Sequence, residues 1–82
     1  MNHVKLLFFA TLRDRAGTRS MELDVPLDLT IQGLKEIISM EYPNLKESMK
    51  SVLIAINREY AFDEAIIPQN AEVAMFPPVS GG

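Results

Sequence analysis

Thr30-Ile31-Gln32-Gly33-Leu34-Lys35-Glu36-Ile37-Ile38-Ser39-Met40-Glu41-Tyr42-Pro43 is the stretch that decides the fold. Ile31, Leu34, Ile37 and Ile38 recur at helical spacing, while Gln32, Lys35 and Glu36 face away, so the segment predicts an amphipathic helix. Thr30 is suited to the N-cap, its side-chain oxygen accepting a free first-turn N–H. Tyr42-Pro43 stops the helix, because the residue before proline is pushed out of helical geometry. Gly33 costs about 1 kcal/mol relative to alanine, so packing rather than propensity has to hold the segment.

Upstream of this helix, residues 4–12 (Val-Lys-Leu-Leu-Phe-Phe-Ala-Thr-Leu) read as a strand with Val4, Leu6, Phe8, Ala10 and Leu12 on one face. Leu7 and Phe9 lie on the other face, more apolar surface than a solvated face needs. Residues 13–18 read as a polar hairpin connection containing Gly17. Residues 19–25 alternate, with Met21, Leu23 and Val25 opposed to Ser20, Glu22 and Asp24, until Pro26 ends the ladder. Downstream, residues 44–51 suit a helical turn, and residues 52–56 form an apolar run read as a buried strand. Asn57-Arg58-Glu59 turns into a short strand, Tyr60-Ala61-Phe62. Pro68-Gln69-Asn70 marks another turn, and residues 72–76 form the last strand before Pro77-Pro78. Strand, strand, helix, strand, short strand, strand is the order of an α+β, ubiquitin-like β-grasp: a mixed sheet of four to five strands crossed by one main helix. The domain is expected to occupy residues 1–76, and residues 77–82 an extended tail.

Composition narrows what such a domain can do. With 82 residues there is room for one small core, not for a two-domain cofactor enzyme. The net charge of −3, from 8 basic and 11 acidic side chains, argues against nucleic-acid binding. The absence of cysteine removes disulfides, thiolate metal sites and a cysteine nucleophile, and agrees with a reducing, cytoplasmic setting. No stretch approaches the roughly 20 apolar residues of a membrane span, and residues 6–10 are too short for a signal peptide. Glu22 and Asp24 share a strand face as two metal ligands might. Without a third carboxylate or a nearby histidine they read as solvated, and the lone His3 reads as a surface residue near the N-terminus.

Chemistry therefore falls to the C-terminus. Gly81 and Gly82 carry no Cβ and can thread a channel too narrow for a side chain, presenting the Gly82 carboxylate inside another protein. Pro77 and Pro78 stiffen the root of the tail and reduce the entropy lost on insertion. No side chain performs chemistry on this reading, and no glycine loop cradles phosphate, so any ATP is bound by a partner. Phe9 and Phe76 are opposite in phase to the core-facing residues of their strands and flank the tail, which makes them candidates for docking.

Phe76-Pro77-Pro78-Val79-Ser80-Gly81-Gly82 resembles the terminal signature of the MoaD family, the small sulfur-carrier subunits of molybdopterin synthase. Residues 7–13 with Ala16-Gly17, residues 42–45 and Ile56-Asn57 also fit, so the resemblance spans essentially the whole chain. Pro68-Gln69-Asn70-Ala71 departs from the Asp-Gly-Asp type of turn more usual there. The resemblance implies that an adenylating enzyme akin to ubiquitin-activating enzymes uses ATP on the Gly82 carboxylate. A sulfur donor then yields a thiocarboxylate, and the tail of residues 77–82 enters the large catalytic subunit to build the molybdopterin dithiolene. It implies a partner-binding surface at Phe9, Tyr60 and Phe76 and a heterotetramer with a large-subunit dimer. From the residues alone, Arg13 in the charged run 13–15 is a candidate for contact with a partner's acidic surface against the reading of a solvated loop, and no metal or cofactor is expected on this chain. Sulfur delivery to another pathway, ubiquitin-like conjugation to lysines and a non-covalent interaction module remain the competing readings.

Overall fold

The computed structural model describes residues 1–78. Its elements run β1 (Asn2–Phe8), α1 (Thr11–Ala16), β2 (Ser20–Val25), α2 (Ile31–Glu41), two 3-10 turns (Pro43–Leu45 and Ser48–Lys50), β3 (Leu53–Ile56), β4 (Glu59–Ala61) and β5 (Glu72–Phe76). The five strands form one sheet in the order β2-β1-β5-β3-β4. β1 and β5 pair in parallel at its centre, and the other pairs are antiparallel. α2 lies across one face, which is the expected β-grasp.

The inner face follows the alternation of the strands. Val4, Leu6 and Phe8 of β1, Val73 and Met75 of β5, and Ile54 of β3 are buried in one core with Ile31, Leu34 and Ile38 of α2. Burying those three α2 side chains is worth about 2 kcal/mol each, which outweighs the cost of Gly33. A Cβ at Gly33 would lie 2.5 Å from Leu29 Cδ1, the end of a flexible side chain that can turn aside.

The N-terminus of α2 is closed by more than its cap. Thr30 Oγ1 accepts from Gly33 N at 3.1 Å, as the sequence predicts. The carbonyls of Ala65 and Asp63 accept from Ile31 N and Gln32 N at 2.9 and 3.0 Å. Lys35 Nζ adds a 2.6 Å bond to Asp63 Oδ1. Residues 62–67 thus satisfy first-turn donors that a helix otherwise leaves open.

Several boundaries differ from the sequence reading. β1 stops at Phe8, not at residue 12, because Ala10 takes φ 53° and ψ −127°, a conformation suited to glycine. The chain there folds directly into α1, so the expected polar hairpin loop is a six-residue helix ended by Gly17 in the left-handed region. Leu12 reaches the core, but from α1 rather than from the strand. Residues 44–51 form 3-10 turns whose Leu45 and Met49 close the end of the core. β3 begins at Leu53, which is 39% exposed on the outer face, and β4 ends at Ala61 rather than Phe62.

Two polar ties had no sequence signal. Buried Asn2 donates to the carbonyls of Ile67 and Pro68, and its Oδ1 accepts from Asn70 N at 2.8 Å, so the start of β1 holds the turn before β5. His3 is the neighbour that Glu22 and Asp24 were expected to lack. Its Nδ1 lies 2.7 Å from Asp24 Oδ1 and its Nε2 2.5 Å from Glu22 Oε1. With each ring nitrogen turned to a different carboxylate, the arrangement is that of an imidazolium donating twice rather than of a chelate. The hydrogen bond to Glu22, then that to Asp24, raises the His3 pKa above the ordinary 6.5.

Two outcomes follow from these ties. Asn2→Ala leaves three backbone groups without their partner and should cost about 1–3 kcal/mol, read as a lower denaturant midpoint at unchanged slope. For His3, a folded pKa above the unfolded one means that its stabilisation is complete below about pH 6.5 and disappears as pH rises through the folded value. The ring protons should titrate above 6.5 by NMR and move back towards 6.5 in Glu22→Gln/Asp24→Asn. An unshifted wild-type midpoint contradicts the double hydrogen bond.

Candidate functional site

The sheet face opposite α2 carries Phe9, Tyr60 and Phe76. Parallel pairing of β1 with β5 aligns Leu7 with Ala74 and Phe8 with Met75, and Phe9 N donates to Met75 O at 3.2 Å. Phe9 and Phe76, one step further along each strand, therefore emerge together on the outer face. Their rings stack with centroids 4.7 Å apart and planes 10° from parallel. Such a pair is worth about 0.5–1.5 kcal/mol beyond its buried area, yet Phe9 remains 41% exposed. The backbone corner at Ala10 keeps this ring at the end of the strand instead of letting β1 continue past it.

Tyr60 joins them on the same face from edge strand β4. Ala55 of β3 pairs with Tyr60 of β4 and with Ala74 of β5, so Leu7, Ala74, Ala55 and Tyr60 form one cross-strand row. Leu53 pairs with Phe76 in the next row. Tyr60 is 77% exposed. Phe9, Tyr60 and Phe76 all line one depression of about 330 Å³, with Leu7, Ala55 and Ala74 between them and Arg58 and Glu72 at its edge. An exposed apolar cluster with a charged border has the composition of a protein-docking surface rather than of a small-molecule cleft.

The other sequence candidates lie apart from that depression. Arg13 is on α1, half-exposed, with its Nε 3.9 Å from Asp14 Oδ1; it does not line the aromatic depression. Pro77 and Pro78 leave the end of β5 and border a separate cleft with Thr11, Leu12 and Arg15 of α1 and with Glu47, Ser48 and Ser51. Val79, Ser80, Gly81 and Gly82 fall outside the described residues. Leu53, Ala55, Ala74 and Arg58 were not singled out from the sequence. Leu53 and Ala55 were hidden inside an apolar run read as wholly buried. The alternation of β5 could have exposed Ala74, since it shares the phase of Phe76.

Among the described residues, no group of three or more acidic or histidine side chains has the arrangement of a metal site. No helix there is long and apolar enough to cross a membrane.

Comparison with known proteins agrees with this geometry. A family model described as the ThiS family matches residues 6–82. The molybdopterin synthase sulfur carrier subunit of Dictyostelium discoideum is 39% identical over 99% of this chain and 98% of its own length. Among solved structures, a putative molybdopterin converting factor, subunit 1, from Pyrococcus furiosus superposes with a TM-score of 0.86 at 28% identity, covering 96% of this chain and all of the other. The small archaeal modifier protein 1 of Haloferax volcanii gives 0.83 at 25% identity with the same coverage. A shared fold and similarity along nearly the full length converge: the chain belongs to the ThiS family and, within it, to the molybdopterin synthase sulfur carrier subunits.

Proposed function

We propose that the reactive group of this carrier is the main-chain carboxylate of Gly82, and that the folded domain exists to present it. The observation that carries the reading is the double position of Phe76. It is the last residue of β5, immediately before Pro77-Pro78, and it is also half of the stacked pair on the exposed face. A protein that grips this face receives the tail in a fixed direction.

The chemistry follows from the poor electrophilicity of a carboxylate. An adenylating partner binds ATP, the Gly82 carboxylate oxygen attacks the α-phosphate, and pyrophosphate leaves. AMP is then a good leaving group: sulfide-level sulfur from the donor attacks the acyl carbon, the acyl C–O bond to AMP breaks, and a thiocarboxylate and AMP result. Inside the large synthase subunit that sulfur is the nucleophile towards cyclic pyranopterin monophosphate, and each C–S bond formed replaces a C–O bond of the precursor, the oxygen leaving as phosphate at one carbon and as water at the other. Water then cleaves the acyl–sulfur bond, which returns the Gly82 carboxylate and leaves sulfur on the product. Two sulfurs in a dithiolene require two such deliveries. ATP, the sulfur source and the pterin site all belong to partners, and the chain needs no cofactor of its own. Phe9, Tyr60 and Phe76 dock it, Arg13 adds a polar contact, and residues 77–82 insert. The cycle runs in the reducing cytoplasm, where a thioacid survives.

A second reading, conjugation to lysines, is favoured by the likeness to the small archaeal modifier protein 1. Both use the same acyl-adenylate and differ in the final nucleophile. Gly-Gly remnants on lysines of other proteins would support it.

Co-expression with the adenylating enzyme and a sulfur donor should add the mass of one oxygen-to-sulfur exchange at the C-terminal peptide. Deleting Gly81-Gly82 should abolish sulfur transfer while the denaturant midpoint stays unchanged. An unmodified carboxylate in a system that thiolates an authentic carrier would count decisively against the reading. Phe76→Ala should weaken binding of the large subunit at least about tenfold with a much smaller effect on the fold, measured by calorimetry and thermal melting.

A further inference from the structure

The outer face is concave where a flat docking face would serve, and its floor is made by two alanines. In the cross-strand row Leu7–Ala74–Ala55–Tyr60, large side chains stand at both ends and small ones occupy the middle. Ala55 is only 6% exposed although no helix covers that side of it. Phe9 and Phe76 form one wall, and Arg58 and Glu72 close the opposite edge of the 330 Å³ depression. Strand positions in mid-sheet favour β-branched and aromatic residues, and alanine is depleted there. Two alanines side by side in register leave apolar surface in a recess where water finds few partners.

We propose that this recess is a socket for one large apolar side chain projecting from the large subunit, with Ala55 and Ala74 setting its depth. The inference rests on the docking reading above and adds to it the shape of the contact. The occupant is assigned by chain connectivity. Gly82 is six residues beyond Phe76, a reach of about 20 Å at full extension. A subunit that encloses Gly82 has its surface at the root of the tail, against Phe76 and over the recess that Phe76 borders. An apolar anchor in a central pocket, ringed by charged groups that exclude water, is the arrangement that concentrates binding energy. The floor positions also have no part in the inner core, so the depth of the recess can vary without altering how α2 packs.

The test fills the socket. Ala74→Leu and Ala55→Leu in the full-length chain should each weaken binding of the isolated large subunit about tenfold to hundredfold, with an unchanged melting midpoint. Ser20→Leu, at the outer end of the same row beside Leu7, should bind as the wild type does. Ala74→Val, a good strand former, keeps the test valid should leucine disturb the sheet. Phe76→Ala and Tyr60→Ala are measured alongside. If they weaken binding and none of the alanine substitutions does, the socket is overturned and the docking face stands. If none of the variants changes affinity, the docking reading falls and the socket with it.

Discussion

The parallel pairing of β1 with β5 is the interaction on which the rest depends. It joins the beginning of the chain to its end across the middle of the sheet, and both strands bury the residues that α2 covers. The same register carries Phe9 and Phe76 to one edge of the outer face and stacks them there. Because β5 is the last strand among the described residues, that register fixes where Pro77 and Pro78 leave the sheet. Asn2 reinforces the pairing from its other end, tying the start of β1 to residues 67–70 just ahead of β5. Non-local pairing of this kind has a high loop-closure cost, and the core supplies what offsets it.

A division of labour between the two faces of the sheet follows. The inner face is filled by α2, α1 and the 3-10 turns and determines stability. The outer face leaves Phe9, Tyr60 and Leu53 exposed around a recess floored by the two alanines. Substitutions on the outer face can therefore change recognition with little effect on folding. This separation suits a sulfur carrier subunit, whose recognition surface can be tuned apart from its core.

Much of this was legible in the sequence because its signals are periodic. The spacing in residues 30–43 and the alternation in residues 19–25 and 72–76 each report a buried face. What was not legible depends on contacts distant in sequence or on a single dihedral angle. Ala10 in a glycine-like conformation ends β1 early and starts α1, and an alanine gives no sign of that. His3 lies near Glu22 and Asp24 only once β1 and β2 are in register. Leu53 and Ala55 sit in an unbroken apolar run, so periodicity could not show which side each one faces. Phe9 and Phe76 could be placed on an outer face from phase alone, but their stacking, and the recess beside it, required the register of three strands.

The central claim is that a backbone thioacid at Gly82 is the sulfur that leaves with the product. A full-length chain carrying a thiocarboxylate at Gly82, made by thiolysis of an intein fusion, can be mixed with the large subunit and the pterin precursor without ATP or any sulfur donor. Single-turnover mass spectrometry should show each thiocarboxylate reverting to carboxylate as sulfur appears in the pterin, two chains per dithiolene. Product formed equally well by the ordinary carboxylate chain, or a thiocarboxylate that survives while product accumulates, would contradict it.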